Sequence, residues 1–141
     1  MPEILIIEDN RYDVEFMLRA VAKYNLTEKI KVLQDGGEAL DYISTTGKYS
    51  GFDTCKRLKV IILDLKLPKV GGLDVLQMIR ASENTRMIPV VVFSSSTEDS
   101  DRIECYRLGA NSYIVKPVSY ENFVNTAAEI ASYWMLQNIP A

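Results

Sequence analysis

Charged residues stand directly after several short apolar runs, and their types suit phosphoryl chemistry. Glu8 and Asp9 follow Ile4–Ile7, Asp64 ends the run that begins at Leu58, and Lys116-Pro117 follows Tyr113-Ile-Val115. Carboxylates are hard oxygen ligands for a divalent cation, and one carboxylate left over can attack phosphorus. A lysine among them would neutralise charge on the transferred group. A hydroxyl at Ser94, closing Pro89-Val-Val-Val-Phe93, would donate to a phosphoryl oxygen, with Ser95 and Ser96 as close competitors. Taken singly, each feature has an ordinary reading: acids after strands are often helix caps, and Lys-Pro is often a turn. Their recurrence in order on strands 1, 3, 4 and 5 argues for one shared site.

The elements that must position these groups follow from the pattern. Strand-like runs at Ile4–Ile7, Ile30–Leu33, Leu58–Leu63, Pro89–Phe93 and Ser112–Val115 alternate with helical periodicities. Such alternation predicts a parallel sheet with helices on both faces, an α/β fold of (βα)5 topology. Asn10 is placed to cap a first helix that buries Val14, Met17, Leu18 and Val21. Ala39, Leu40 and Ile43 give a second helix its inner face, and Leu73, Leu76 and Ile79 a third. The fourth is expected to start near Ser96-Thr97, to carry a thin stripe around Ile103 and Tyr106, and to end at Gly109. The last, from Ser119, turns Phe123, Ala127, Ile130, Ala131 and Trp134 inward, with Tyr120, Val124, Tyr133 and Leu136 on other faces. The stretch from Ser44 to Thr54 reads as an exposed loop.

With 141 residues, 48% hydrophobic and 25% charged, the chain suits one soluble domain, residues 1–141, with an extended tail from about 132–141. The net charge of -3 and the lack of any Lys/Arg run argue against nucleic acid as a partner. No apolar stretch approaches the roughly 18 residues of a membrane span, and no signal-like segment opens the chain, so a cytoplasmic protein with no membrane partner is expected. Cys55 and Cys105 have no ligand or redox spacing and read as free thiols. Histidine is absent, so any phosphohistidine donor must be another molecule.

In doubly wound sheets of order 2-1-3-4-5, ligands sit at the switch point beyond the carboxyl ends of strands 1 and 3, where Glu8, Asp9 and Asp64 are expected. An acid cluster there repels itself unless a cation such as Mg²⁺, or Mn²⁺, joins it. Asp64 could then attack phosphorus in line, with Lys116 stabilising the equatorial charge.

These motifs resemble the response-regulator receiver domain of two-component signalling over essentially all of residues 3–131. The resemblance rests on Glu8-Asp9, Asp64 with Leu67-Pro68 and Gly72 downstream, the strand-4 hydroxyl of Ser94, and Lys116-Pro117. It implies a flavodoxin-like fold with Asp64 as phosphoacceptor. It also implies a metal held by Asp9, Asp64 and the backbone carbonyl of Lys66, with Glu8 acting through metal-bound water. Ser94 and Lys116 would contact the phosphoryl group, Tyr113 would swing between outward and inward rotamers, and the peptide before Pro117 would be cis. Gly71 departs from the acid often found beside the glycine, outside the chemistry.

The long loop before strand 3 and the tail resemble single-domain regulators paired with phytochrome histidine kinases in cyanobacteria and other bacteria. That resemblance implies a sensor kinase as donor, an unknown downstream protein as target, and a homodimer. Tyr133, Trp134, Leu136 and Ile139 exceed what one inward stripe needs and are the expected partner surface. Such a protein is a phosphoacceptor that assists its own phosphorylation and dephosphorylation rather than a turnover enzyme. An aspartyl-phosphate phosphohydrolase would need an acid where Lys66 stands. A phosphorylation-independent interaction module would have lost an acid, the hydroxyl or the lysine. A flavodoxin-like cofactor carrier would not place Glu8-Asp9-Asn10 where phosphate binds. Lys116, read as a lysine drawn to carboxylates at a site rim, is expected to add little net stability.

Overall fold

Strands that are apolar at every position can be stable only where both faces are covered. In the computed structural model, which describes residues 1–141, β1 (Ile4–Ile7), β3 (Val60–Leu63) and β4 (Val90–Ser94) are buried at every position. The flanking strands β2 (Ile30–Leu33) and β5 (Ser112–Val115) are mostly half-buried. The sheet is parallel throughout with order β2-β1-β3-β4-β5. The (βα)5 expectation therefore holds.

Alternation along each strand divides the interior into two apolar layers. Ile4, Ile6, Val60, Ile62, Val91 and Phe93 face α1 (Arg11–Ala22) and α5 (Tyr120–Ser132). Leu5, Ile7, Ile61, Leu63, Val90 and Val92 face α2 (Gly36–Ser44), α3 (Gly72–Ala81) and α4 (Asp99–Arg107). Asn10 caps α1 by accepting from the Tyr12 and Asp13 amides, and Asp35 caps α2 through the Glu38 amide. Gly109 follows α4 at φ +101°, the left-handed geometry expected of it.

Several boundaries differ from the sequence reading. The α4 helix begins at Asp99 because the Ser96 hydroxyl accepts from the Glu98 amide and donates to Asp101, forming a turn ahead of the helix rather than capping it. Its buried residue is Cys105, while Ile103 and Tyr106 are exposed. Ile103 stands two residues from Cys105, about 200° around the helix, so burying one turns the other outward. In α5, Val124 is buried rather than outward, since this helix packs on both the sheet and α1. The chain then makes a π-helical turn, Tyr133–Gln137, whose extra residue per turn rephases the side chains. Met135 points inward, Trp134 packs half-buried against the core, and Tyr133, Leu136 and Ile139 stay exposed.

The segment from Ser44 to Thr54 is less open than expected. A 3₁₀ turn at Gly47–Tyr49 sets Tyr49 edge-on to Tyr42, and its hydroxyl donates to Glu38 at 2.7 Å. Thr54 Oγ1 donates to the Tyr42 carbonyl at 2.7 Å. No helix of the chain is long and apolar enough to cross a membrane.

Candidate functional site

The site forms where β1, β3, β4 and β5 end together. Paired register from Ile7 to Leu63 carries Glu8, Asp9 and Asp64 to the same rim. One carboxylate oxygen from each lies within 4.8 Å of the others, with Glu8 and Asp64 buried and Asp9 exposed. The loop that bears Asp64 is clamped by close backbone approach. A Cβ on Gly72 would stand 2.4 Å from the Asp64 carbonyl oxygen and 2.6 Å from Leu65 Cα. On Gly36 it would stand 1.8 Å from the Val70 carbonyl oxygen. Only hydrogen fits in either place, so two glycines on different helices fix the loop from both sides.

Lys116 enters from β5 and reaches across the acids. Its Nζ lies 2.5 Å from Glu8 Oε1, 2.8 Å from Asp13 Oδ2 and 3.5 Å from Asp64 Oδ2, with its side chain 9% exposed. The expected cis peptide before Pro117 is absent, for every peptide bond in the chain is trans. A trans X-Pro bond is the intrinsically favoured isomer, and Lys116 reaches the acids through its long side chain with the backbone trans. Lys116 is half-buried, its side chain drawn in among the acids.

Ser94 is fully buried at the end of β4, and its hydroxyl accepts from the Ser96 amide at 3.2 Å. Ser95 is exposed and Ser96 is turned to Asp101, which leaves Ser94 as the hydroxyl held within the sheet end. Its carbonyl accepts from the Lys116 amide at 2.7 Å, tying β4 to β5 at this level. Tyr113 is turned inward, packs against the α2–α3–α4 layer and donates to the Ser96 carbonyl at 3.0 Å. Lys66 lies two residues beyond Asp64 with its side chain exposed.

The electrostatics follow from burial and crowding. Burial, then the neighbouring Asp64 charge, push the Glu8 carboxyl up to about 7 against the pull of Lys116. Burial alone would lower Lys116, but the Glu8 charge and hydrogen bonds to Asp13 and Glu8 push it up to about 12. Two buried acids, an exposed one and a single ammonium suit a hard divalent cation, since the oxygen donors outnumber the positive charge available. The donor set thus fits Mg²⁺ or Mn²⁺.

The sequence reading overlooked Asp13. An acid in the first turn of a helix is ordinarily explained by the helix dipole, which hides any second role. The available signal was its position three residues after the cap Asn10, where a capping-box acid would reach back to the cap amide. Here Glu8 Oε2 takes the Asn10 amide at 3.1 Å, and the Asp13 carboxylate takes Lys116 instead. The tail residues Tyr133, Trp134, Leu136 and Ile139 are not part of this rim. Trp134 and Tyr133 meet edge-on at 5.0 Å and border a shallow cavity with Ile114 and Ile130.

Comparison with known proteins gives concordant results. The family profile described as response regulator receiver domain matches residues 4–128. The chain is 41% identical over 132 residues to the probable methanogenesis regulatory protein FilR2 of Methanothrix harundinacea, covering 94% of this chain and 83% of that protein. It is 30% identical over 132 residues to the response regulator Rcp1 of Synechocystis, covering 94% and 88%. Among solved structures, the phosphorylated cyanobacterial phytochrome response regulator RcpA superposes with a TM-score of 0.89 at 29% identity, covering 99% of both chains. The Mn²⁺-bound form of Rcp1 also superposes with a TM-score of 0.89, at 27% identity and 99% of both chains.

Proposed function

The chain belongs to the response-regulator receiver family, and on that premise we propose that it accepts a phosphoryl group on Asp64 from a histidine kinase and thereby switches a protein-interaction surface. The observation that carries this reading is the convergence of Glu8, Asp9, Asp64 and Lys116 from three strands on one rim. Receiver domains bind Mg²⁺, and the residues that would hold it here are Asp9, Asp64 and the Lys66 carbonyl, with Glu8 acting through metal-bound water. When bound, the cation screens the acids and draws charge from phosphoryl oxygens.

A carboxylate oxygen of Asp64 attacks phosphorus, an acyl P–O bond forms, and the P–N bond to the donor imidazole breaks with its electron pair leaving on nitrogen. The donor is external, since this chain has no histidine. Lys116 moves its ammonium onto the phosphoryl group, and Ser94 turns its hydroxyl from the Ser96 amide toward a phosphoryl oxygen. That turn pulls on the segment held by the Ser96 carbonyl, where Tyr113 is anchored, and so transmits the state of the site to the face of α4 and β5. The same carboxylates assist hydrolysis that resets the switch.

In the cytoplasm the donor is proposed to be a phytochrome-type kinase, in keeping with the likeness to RcpA and Rcp1. The exposed Tyr133, Leu136 and Ile139 with half-buried Trp134 are proposed as a homodimer or partner surface. The deciding experiment is phosphotransfer from purified histidine kinases, phytochromes included, to wild type and Asp64→Asn. Label is expected on the wild type alone, labile as an acyl phosphate; Mg²⁺-dependent label of the same lability on the variant overturns the reading.

A further inference from the structure

We infer that Asp13 is a positioning residue that draws the Lys116 ammonium toward α1, so that it rests nearer Asp13 and Glu8 than Asp64 and the free chain must give up this contact when a phosphoryl group arrives. The inference rests on the phosphoacceptor reading and extends it to a residue outside the acid cluster. Of the three carboxylates around Lys116 Nζ, Asp64 is the most distant at 3.5 Å, while Glu8 and Asp13 lie at 2.5 and 2.8 Å. Asp13 is free for this role because the cap amide of Asn10 is already taken by Glu8 Oε2. Asn10 in turn holds the Asp13 amide through its Oδ1 at 3.1 Å, which fixes where the Asp13 side chain starts.

The second observation is a cavity of about 310 Å³ between the start of α1 and the β5–α5 connection, lined by Asp13, Phe16, Lys116, Pro117 and Tyr120 among others. Glu8, Asp9 and Asp64 do not line it. Lys116 therefore stands between two spaces, the acid rim and this cavity, and Asp13 belongs to the second. An ammonium shared with Asp13 is partly withdrawn from the side on which a phosphoryl group on Asp64 would develop its charge. A phosphoryl group offers a denser negative charge than one carboxylate and draws the amine across. The Asp13 contact thus opposes phosphoryl retention by a fixed amount that the sequence sets.

The test measures beryllofluoride, an inert phosphoryl mimic, binding to the full chain at saturating Mg²⁺ by isothermal titration. Asp13→Asn removes the competing charge with little change of shape, and its affinity is expected to rise roughly two- to fivefold, as for loss of one partly exposed ion pair. Asp13→Glu restores the carboxylate and is expected to return the affinity to that of the wild type. Glu15→Gln removes the same charge two residues on, where Glu15 pairs with Arg19 instead, and is expected to change nothing.

Unchanged or weaker binding in Asp13→Asn overturns the inference, and so does equal tightening in Asp13→Glu or in Glu15→Gln. The first would show that Lys116 is not competed for; the others would reduce the effect to disturbance of α1 or to bulk charge. Failure of the wild type to take beryllofluoride, together with no phosphotransfer to Asp64, removes the phosphoacceptor reading itself. Binding by the wild type with no gain in Asp13→Asn removes only the role of Asp13.

Discussion

The rim at the strand ends and the segment after α5 solve opposite problems. At the rim, charges that would repel or be stranded are paired inside the chain: Lys116 meets three carboxylates, and no buried side-chain nitrogen or oxygen anywhere lacks a partner. After α5, apolar groups that would ordinarily be hidden stand in solvent, with Tyr133, Leu136 and Ile139 all exposed. A polar group costs free energy when buried unpaired, whereas an exposed apolar group costs little until a partner offers to cover it. The rim is therefore satisfied within the chain, whereas the segment after α5 leaves apolar surface in solvent.

The comparison breaks most readily at Gly72. Gly72→Ala drives a methyl group into the backbone of Asp64 and Leu65, and is expected to lower unfolding free energy by roughly 2–4 kcal/mol while weakening Mg²⁺ binding, both readable by thermal melts with and without the ion. A variant as stable as wild type would mean that the Asp64 loop is not clamped. Next is Lys116→Ala, which leaves two buried acids facing each other with no cation. Because the Lys116 side chain is only 9% exposed among these acids, its removal is expected to cost on the order of 1–3 kcal/mol in chelator at alkaline pH, with much of the loss recovered by Mg²⁺. A loss that Mg²⁺ does not relieve would point to packing rather than charge.

The pH dependence sharpens the same point. Glu8 has its folded carboxyl raised from 4.5 to about 7, so its contribution favours the fold below the ordinary value and fades as pH rises through about 7. In the metal-free protein the melting temperature is expected to fall across that window from this group. Mg²⁺ must displace the Glu8 proton, so its apparent affinity is expected to rise with pH, by at most about tenfold per unit below 7, and then level off. Glu8→Gln should flatten both trends, and an unchanged slope in that variant would move the titration elsewhere. The smallest effect is expected in the tail. The double substitution Tyr133→Ser, Leu136→Ser should stay within about 0.5 kcal/mol of wild-type monomer stability while lowering the apparent mass in light scattering; an unchanged mass would remove these residues from any dimer.

Much of this architecture could be read in advance because it depends on nearest neighbours along the chain. Apolar runs that end in Glu8, Asp64 or Lys116 announce both a buried strand and the charge at its tip. Helix caps such as Asn10 act within three residues, so they too are local. The departures arise where the decisive neighbour is remote. Whether Ile103 or Cys105 of α4 faces inward depends on how the helix sits on β4 and β5, and its own composition is too polar to choose. The peptide before Pro117 is trans, the isomer that an X-Pro bond favours by itself. The π-helical turn at Tyr133–Gln137 rephases the tail without any mark in the residue types.

The sequence by itself determined the five-stranded parallel sheet, its two apolar faces, and the presence of acids and a lysine at one rim, because strand alternation and the switch-point geometry leave few other outcomes. Tertiary structure alone decided that Lys116 is shared with Asp13, 103 positions away, and lies nearer to it than to Asp64. Ion pairs of that kind depend on distances of a few ångströms between elements far apart in the chain, and only packing of α1 against the end of β5 sets them.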